Sequence, residues 1–138
     1  MRKIDYIVVH CSDSPEGRND TTEDIRRWHV KGNGWSDIGY HFVVELDGTI
    51  NAGRKEEVVG AHVKNFNKNS IGVCYVGGRE KNSKKPKDTR TQAQKEALVQ
   101  LLTLLQHKYP TAKIVGHRDL DKSKACPSFD AKTEYADL

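Results

Sequence analysis

Apolar residues fall into short runs of two different periods, and the points where the period changes divide the chain into strands and helices. Ile4 to Val9 is a compact run rich in β-branched side chains, which predicts a central strand ending at His10 before the turn-rich stretch Ser12 to Gly17. Thr21 or Thr22 can cap a helix with Ile25, Trp28 and His29 on its apolar face, stopped by Gly32 and Gly34. Tyr40 to Leu46 then reads as a strand, and Asp47-Gly48 before Thr49, Ile50 and Asn51 is a hairpin turn. Val58-Val59 and Ser70 to Val76 give two further strand segments, separated by a polar loop that carries His62.

Gly77 to Arg90 is rich in Lys, Gly, Asn and Ser, and reads as an exposed, mobile loop with a solvated basic face. From about Thr91 to Tyr109, Ala97, Leu98, Leu101, Leu102 and Leu105 recur at helical spacing, with Pro110 just beyond. Ile114-Val115 forms a last short strand that delivers His117 to a loop. Strands and helices thus alternate with at least one hairpin. The expected fold class is α/β, a single domain over 1–138 with a mixed central sheet flanked by helices.

Composition narrows the setting. With 138 residues and 36% hydrophobic content the chain supports one core. A net charge of +4 suits polyanionic surroundings without choosing among them. Three cysteines form no disulfide framework; Cys11 and Cys74 lie in apolar runs where buried, inert thiols are expected. No apolar signal core precedes the first strand and no run is long enough to span a bilayer, so the chain is expected to be cytoplasmic as synthesised.

The segment from His117 to Ser128 changes the picture most, because it sets a histidine and Cys126 in one loop beside Pro127, with His10 as a distant strand-end partner. Two imidazoles and a thiolate are the donors zinc prefers, and three protein ligands leave a fourth tetrahedral position open. Spacing alone also allows a surface imidazole beside a buried thiol. For a closed, four-ligand site the remaining histidines are His29, His41, His62 and His107, none at convincing spacing. Next to Tyr40 on an apparent strand, His41 points to the opposite face and reads as structural. His29 reads as packing on its helix.

Several segments together resemble a known family: Val8-Val9-His10-Cys11-Ser12, Trp28-His29, Gly34-Trp35 through Gly39-Tyr40-His41-Phe42, Gly60-Ala61-His62, Asn69-Ser70-Ile71-Gly72-Val73, Gly116-His117-Arg118-Asp119, and Lys124-Ala125-Cys126-Pro127-Ser128-Phe129-Asp130. In order and spacing they are similar to the zinc-dependent N-acetylmuramoyl-L-alanine amidases, above all the amidase-type lysozymes of bacteriophages, with animal peptidoglycan recognition proteins also similar. The resemblance implies one zinc ion per chain held by His10, His117 and Cys126, with Tyr40 and Lys124 as catalytic side chains and His62 lining the substrate groove. It implies hydrolysis of the amide joining N-acetylmuramic acid to the L-alanine of the peptidoglycan stem peptide, by a zinc-bound water attacking the amide carbonyl. Lys124 would act as the cation facing the oxyanion, a role typically worth about 3 kcal/mol. With an ordinary pKa near 10, the Tyr40 hydroxyl is a poor base and a better orienting group. No carboxylate stands out as a general base.

The rival reading is a module that binds muropeptides without cutting them. Non-cutting relatives commonly lack the metal-ligating cysteine, so Cys126 favours an enzyme. Nothing in the residues argues for a second role in regulating a polymerase. The expected partners are peptidoglycan or its muropeptides, with no nucleic acid, no membrane and a monomeric chain. Phage or prophage origin, with action on the wall after release, fits a chain without an export leader.

Overall fold

The computed structural model describes residues 2–138. In chain order the elements are β1 (Tyr6–Cys11), β2 (Ser14–Pro15), α1 (Thr22–Arg27), β3 (Phe42–Val44), β4 (Ile50–Ala52), β5 (Ser70–Tyr75), β6 (Gly78–Arg79), α2 (Gln92–Lys108), β7 (Lys113–Gly116), α3 (His117–Leu120) and α4 (Ala131–Glu134). A five-stranded sheet runs β4-β3-β5-β1-β7, and β2 pairs with β6 in a separate two-stranded ladder. Strand β1 lies between β5 and β7, parallel to both. Ile7, Val8 and Val9 are fully enclosed there, as a strand covered on both faces requires. The Asp47-Gly48 turn joins β3 and β4 as an antiparallel hairpin, with Gly48 at φ +89 where a side chain would be strained.

Side-chain alternation sorts the central strands into two faces. Ile7, Val9 and Cys11 of β1, with Ile71, Val73 and Tyr75 of β5, face the main core, where α2 lays down Leu98, Leu101, Leu102 and Leu105. The opposite face carries Val8 and then His10 on β1, and Val8 packs with Val63, Val115 and Phe66. On that face β5 offers only Ser70, Gly72 and Cys74, which pair in register with Tyr6, Val8 and His10. Large side chains on one face and small ones on the other leave a shallow floor beside His10.

Helix α2 starts at the Thr91 cap, whose hydroxyl accepts from Gln94 N (3.0 Å) while donating to Leu46 O (2.7 Å). Gln94 is buried and donates to Val44 O and Val76 O, tying the helix start to the ends of β3 and β5. Helix α1 is capped by Thr21, with Asp24 completing the reciprocal box.

Three expectations need correction. Val58 and Val59 are exposed in a loop rather than a strand, because no partner strand lies beside them. Trp28 is also partly exposed, at 38%, rather than buried beside Ile25, and the helix widens from there into a π-helical turn over Trp28–Gly32. Gly77 to Arg90 is more structured than its composition suggests. It contains β6, a bridge between Arg79 and Pro86, and buried Thr89 and Arg90. The Arg90 guanidinium sits 3.5 Å from the centre of the Phe129 ring and pairs with Asp88 and Glu134. Lys81, Lys84 and Lys85 do remain exposed, as a solvated basic face would.

Candidate metal centre

Parallel strands β1 and β7 deliver His10 and His117 to the same rim of the sheet. His10 is the next-to-last residue of β1, and His117 opens α3 immediately after β7. The α3 turn is set by Asp119, whose carboxylate accepts from Gly116 N (2.7 Å). Cys126 is folded back onto this turn: Arg118 N donates to Cys126 O (2.8 Å), and the Tyr75 hydroxyl donates to Pro127 O (2.7 Å). One donor atom from each of His10, His117 and Cys126 lies within 4.8 Å of the other two. Nothing else among the described residues forms such a cluster of metal-binding side chains.

The electrostatics suit a cation. Burial holds the His10 imidazole well below its ordinary pKa, with His62 and His117 adding to the effect, and burial also lowers His117. Both rings are therefore neutral at pH 7 and offer lone pairs. The neighbouring Cys11 thiol and burial push the Cys126 thiol up, so ionisation of that sulfur calls for a positive charge beside it. Cys11 N donates to Cys126 Sγ at 3.1 Å, a contact that steadies a thiolate. The His10 Nδ1 atom is the one turned toward the sulfur, at 3.7 Å. Two imidazoles and a sulfur at this spacing fit zinc, with a coordination position left over.

These three residues form the floor of a cavity of about 350 Å3 that Tyr40, His62 and Lys124 also line. Tyr40 lies just before β3 with its ring centre 5.1 Å from that of His10. Burial, with the nearby sulfur of Cys74, raises the Tyr40 pKa well above its usual value, so its hydroxyl keeps its proton. Lys124 is exposed at the mouth on the Cys126 loop. The structure thus brings all six candidate residues to one cavity. His41 is elsewhere: fully buried behind the site, it accepts from Gly72 N through Nδ1 (3.0 Å) and meets Val58 O through Nε2 (2.8 Å). His29 packs against Trp35 and Tyr40 and accepts from Gly39 N, the packing role its helix suggested.

Of the further residues that line the cavity, Asp13 and Pro86 were given no site role by the sequence and add new chemistry or shape. Asp13 lines the wall, so a carboxylate is present after all, in a backbone conformation (φ 59) that aspartate tolerates better than most residues. Pro86 reaches the cavity from the basic loop. Its only sequence signal was a proline within a run read as solvent-facing. A larger groove of about 930 Å3, between the end of α2, β7 and the C-terminal residues, holds none of the ligand set.

Residues 1–129 match the family model of N-acetylmuramoyl-L-alanine amidase. The chain belongs to the N-acetylmuramoyl-L-alanine amidase family. An endolysin of Escherichia phage T7 is 47% identical over 128 residues, spanning 93% of this chain and 83% of its own length. The solved N-acetylmuramoyl-L-alanine amidase LysC from Clostridium intestinale superposes with a TM-score of 0.78 at 30% identity, covering 97% of this chain and 83% of that one. A variant of Drosophila PGRP-LB in complex with tracheal cytotoxin gives a TM-score of 0.80 at 25% identity, covering 100% and 83%. Membership makes the chain a hydrolase, a peptidoglycan amidase of the endolysin type. No helix among the described residues is long and apolar enough to cross a membrane.

Proposed function

We propose that His10, His117 and Cys126 hold one zinc ion per chain, and that the cavity above them hydrolyses the amide between N-acetylmuramic acid and the L-alanine of the stem peptide. The observation that carries this reading is the convergence of the three donor atoms, within 4.8 Å of one another, on a cavity floor. When bound, zinc supplies Lewis acidity that polarises a carbonyl and lowers the pKa of water from about 16 toward about 7.

The chain's own side chains do the rest. A Tyr40 hydroxyl that stays protonated serves as a donor, orienting the attacking water or the scissile carbonyl beside His10. The Lys124 ammonium, at the mouth of the same cavity, faces the carbonyl oxygen as negative charge develops on it. His62 forms part of the cavity wall beside His10. Enclosure by Tyr40, His62 and the Cys126 loop limits access of bulk water, which strengthens each of these interactions. An endolysin acting on the wall once released from the cell is the setting that the phage relatives support.

The deciding experiment is mass analysis of the products from a defined muropeptide. Release of an intact stem peptide with a free L-alanine amine, abolished by chelator and restored by zinc, is the expected result. Cleavage at any other bond, or undiminished cleavage in excess chelator, refutes the proposal.

A further inference from the structure

The His10 ring has two nitrogens, and only one of them can face a cation bound at the cluster. Its Nδ1 is turned to Cys126 Sγ, while its Nε2 lies 2.8 Å from His62 Nδ1. The far nitrogen of His62, Nε2, lies 3.2 Å from Ser70 Oγ. A lone pair on His10 Nδ1 requires the proton on Nε2, which then donates to His62 Nδ1. That in turn places the His62 proton on Nε2, where Ser70 Oγ accepts it. We infer that His62 is a positioning residue for the metal centre: with Ser70 it fixes the tautomer and ring angle of His10 so that Nδ1 is free for the ion. This rests on the zinc reading given above.

The surroundings of His62 are built for one ring orientation. A Cβ on Gly72 would stand 2.7 Å from His62 Cγ, and one on Gly60 2.8 Å from His62 Cδ2. Both positions must stay bare for the ring to lie flat on β5. The loop is pinned at the same residue, since Asn67 Oδ1 accepts from both His62 N and Val63 N at 2.9 Å. His62 therefore has its backbone, the ring face over Gly72 and both its nitrogens committed within the protein. A side chain kept free to adapt to a substrate needs none of this. The segment Asn69 to Val73 acquires a purpose too: Ser70 ends the hydrogen-bond chain and Gly72 seats the ring.

The test compares His62→Phe, which keeps a ring and removes the acceptor, with His62→Asn, whose Oδ1 can accept where Nδ1 did. Zinc affinity is measured by competition with a chromophoric chelator, and folding is checked by thermal denaturation of the metal-free forms. Loss of an outer hydrogen-bond partner typically weakens metal binding by about 10- to 100-fold. The expected result is a loss of that size for His62→Phe and recovery of most of it for His62→Asn. In the zinc-loaded wild type, long-range proton–nitrogen spectra should place the ring proton of His10 on Nε2.

Equal weakening by both variants, or a rise in KM with zinc affinity unchanged in both, overturns the inference; the second result would assign His62 to substrate instead. Should His62→Phe not fold, Ser70→Ala serves in its place, with unchanged zinc affinity as the refuting result. Wild-type protein that takes up no zinc would overturn the metal reading itself, and this inference with it, an outcome distinct from any variant effect.

Discussion

At Cys126 a single atom carries two duties, completing the donor set and drawing the His117 loop onto the end of β1. Cys126→Ser keeps nearly the same volume but replaces a soft donor with a hydroxyl that ionises poorly. Zinc content and wall hydrolysis should both collapse while the circular dichroism spectrum is retained; full activity in this variant would refute the ligand assignment. Tyr40→Phe separates the two functions the other way. Removing the one hydroxyl proposed to contact the reacting groups should lower kcat by about 100- to 1,000-fold, the range for loss of a single positioned donor, with zinc stoichiometry near one. Metal analysis beside a kinetic assay checks both. His10, His117 and Cys126 were singled out in the sequence by their places at strand ends or beside a proline, and as a set by the family resemblance; the structure brings their donor atoms together. The partners of His62 were not legible there, since Nδ1 of that ring meets a residue 52 positions away and only the folding of its loop over β5 brings the two rings together.

Among the elements, α2 was the easiest to read. Five apolar residues at helical spacing became five buried residues, while the capping box of Thr91 and Gln94 emerged only in the structure. Thr91→Ala removes an acceptor for Gln94 N and a donor to Leu46 O. It should cost about 1 kcal/mol, lowering Tm by roughly 3–5 °C in a chain of this size. A Tm unchanged within error would show that the cap is redundant with the packing of the leucines. Short elements were read less well. Val58-Val59 has strand-forming side chains but no neighbour to pair with, and β6 is two residues long, defined by its ladder with β2 rather than by any local pattern. Pairing is a long-range property, so propensity alone neither creates nor excludes such pieces.

Across the whole molecule, Arg90 joins the basic loop, the main core and the C-terminal helix through Asp88, Phe129, Glu134 and the Tyr135 hydroxyl. Partial burial works against ionisation of Asp88, yet the hydrogen bonds and charge of Arg90 win and hold its carboxyl below the usual range. A depressed carboxyl pKa contributes stability that is present above its unfolded value, near 4, and fades as pH falls through the lower folded value. Arg90→Met removes that contribution. The gap in Tm between wild type and variant should therefore be widest near neutral pH and shrink below about pH 4. A gap independent of pH would mean that stacking on Phe129, rather than the ion pairs, is what Arg90 supplies.

The architecture as a whole, one mixed sheet with helices packed on it, followed from the order of apolar periods. The organisation of residues 77–90 did not, because its anchors Thr89 and Arg90 are polar residues that look solvent-facing until their distant partners are known.

His10 and Cys126 stand 116 positions apart, and the sulfur comes from the last loop before the C-terminal helix. A ribosome making this polypeptide must pass residue 126 before the third donor can join the other two. Any fragment that stops short of residue 126 therefore carries two of the clustered donors at most, and should bind the ion weakly.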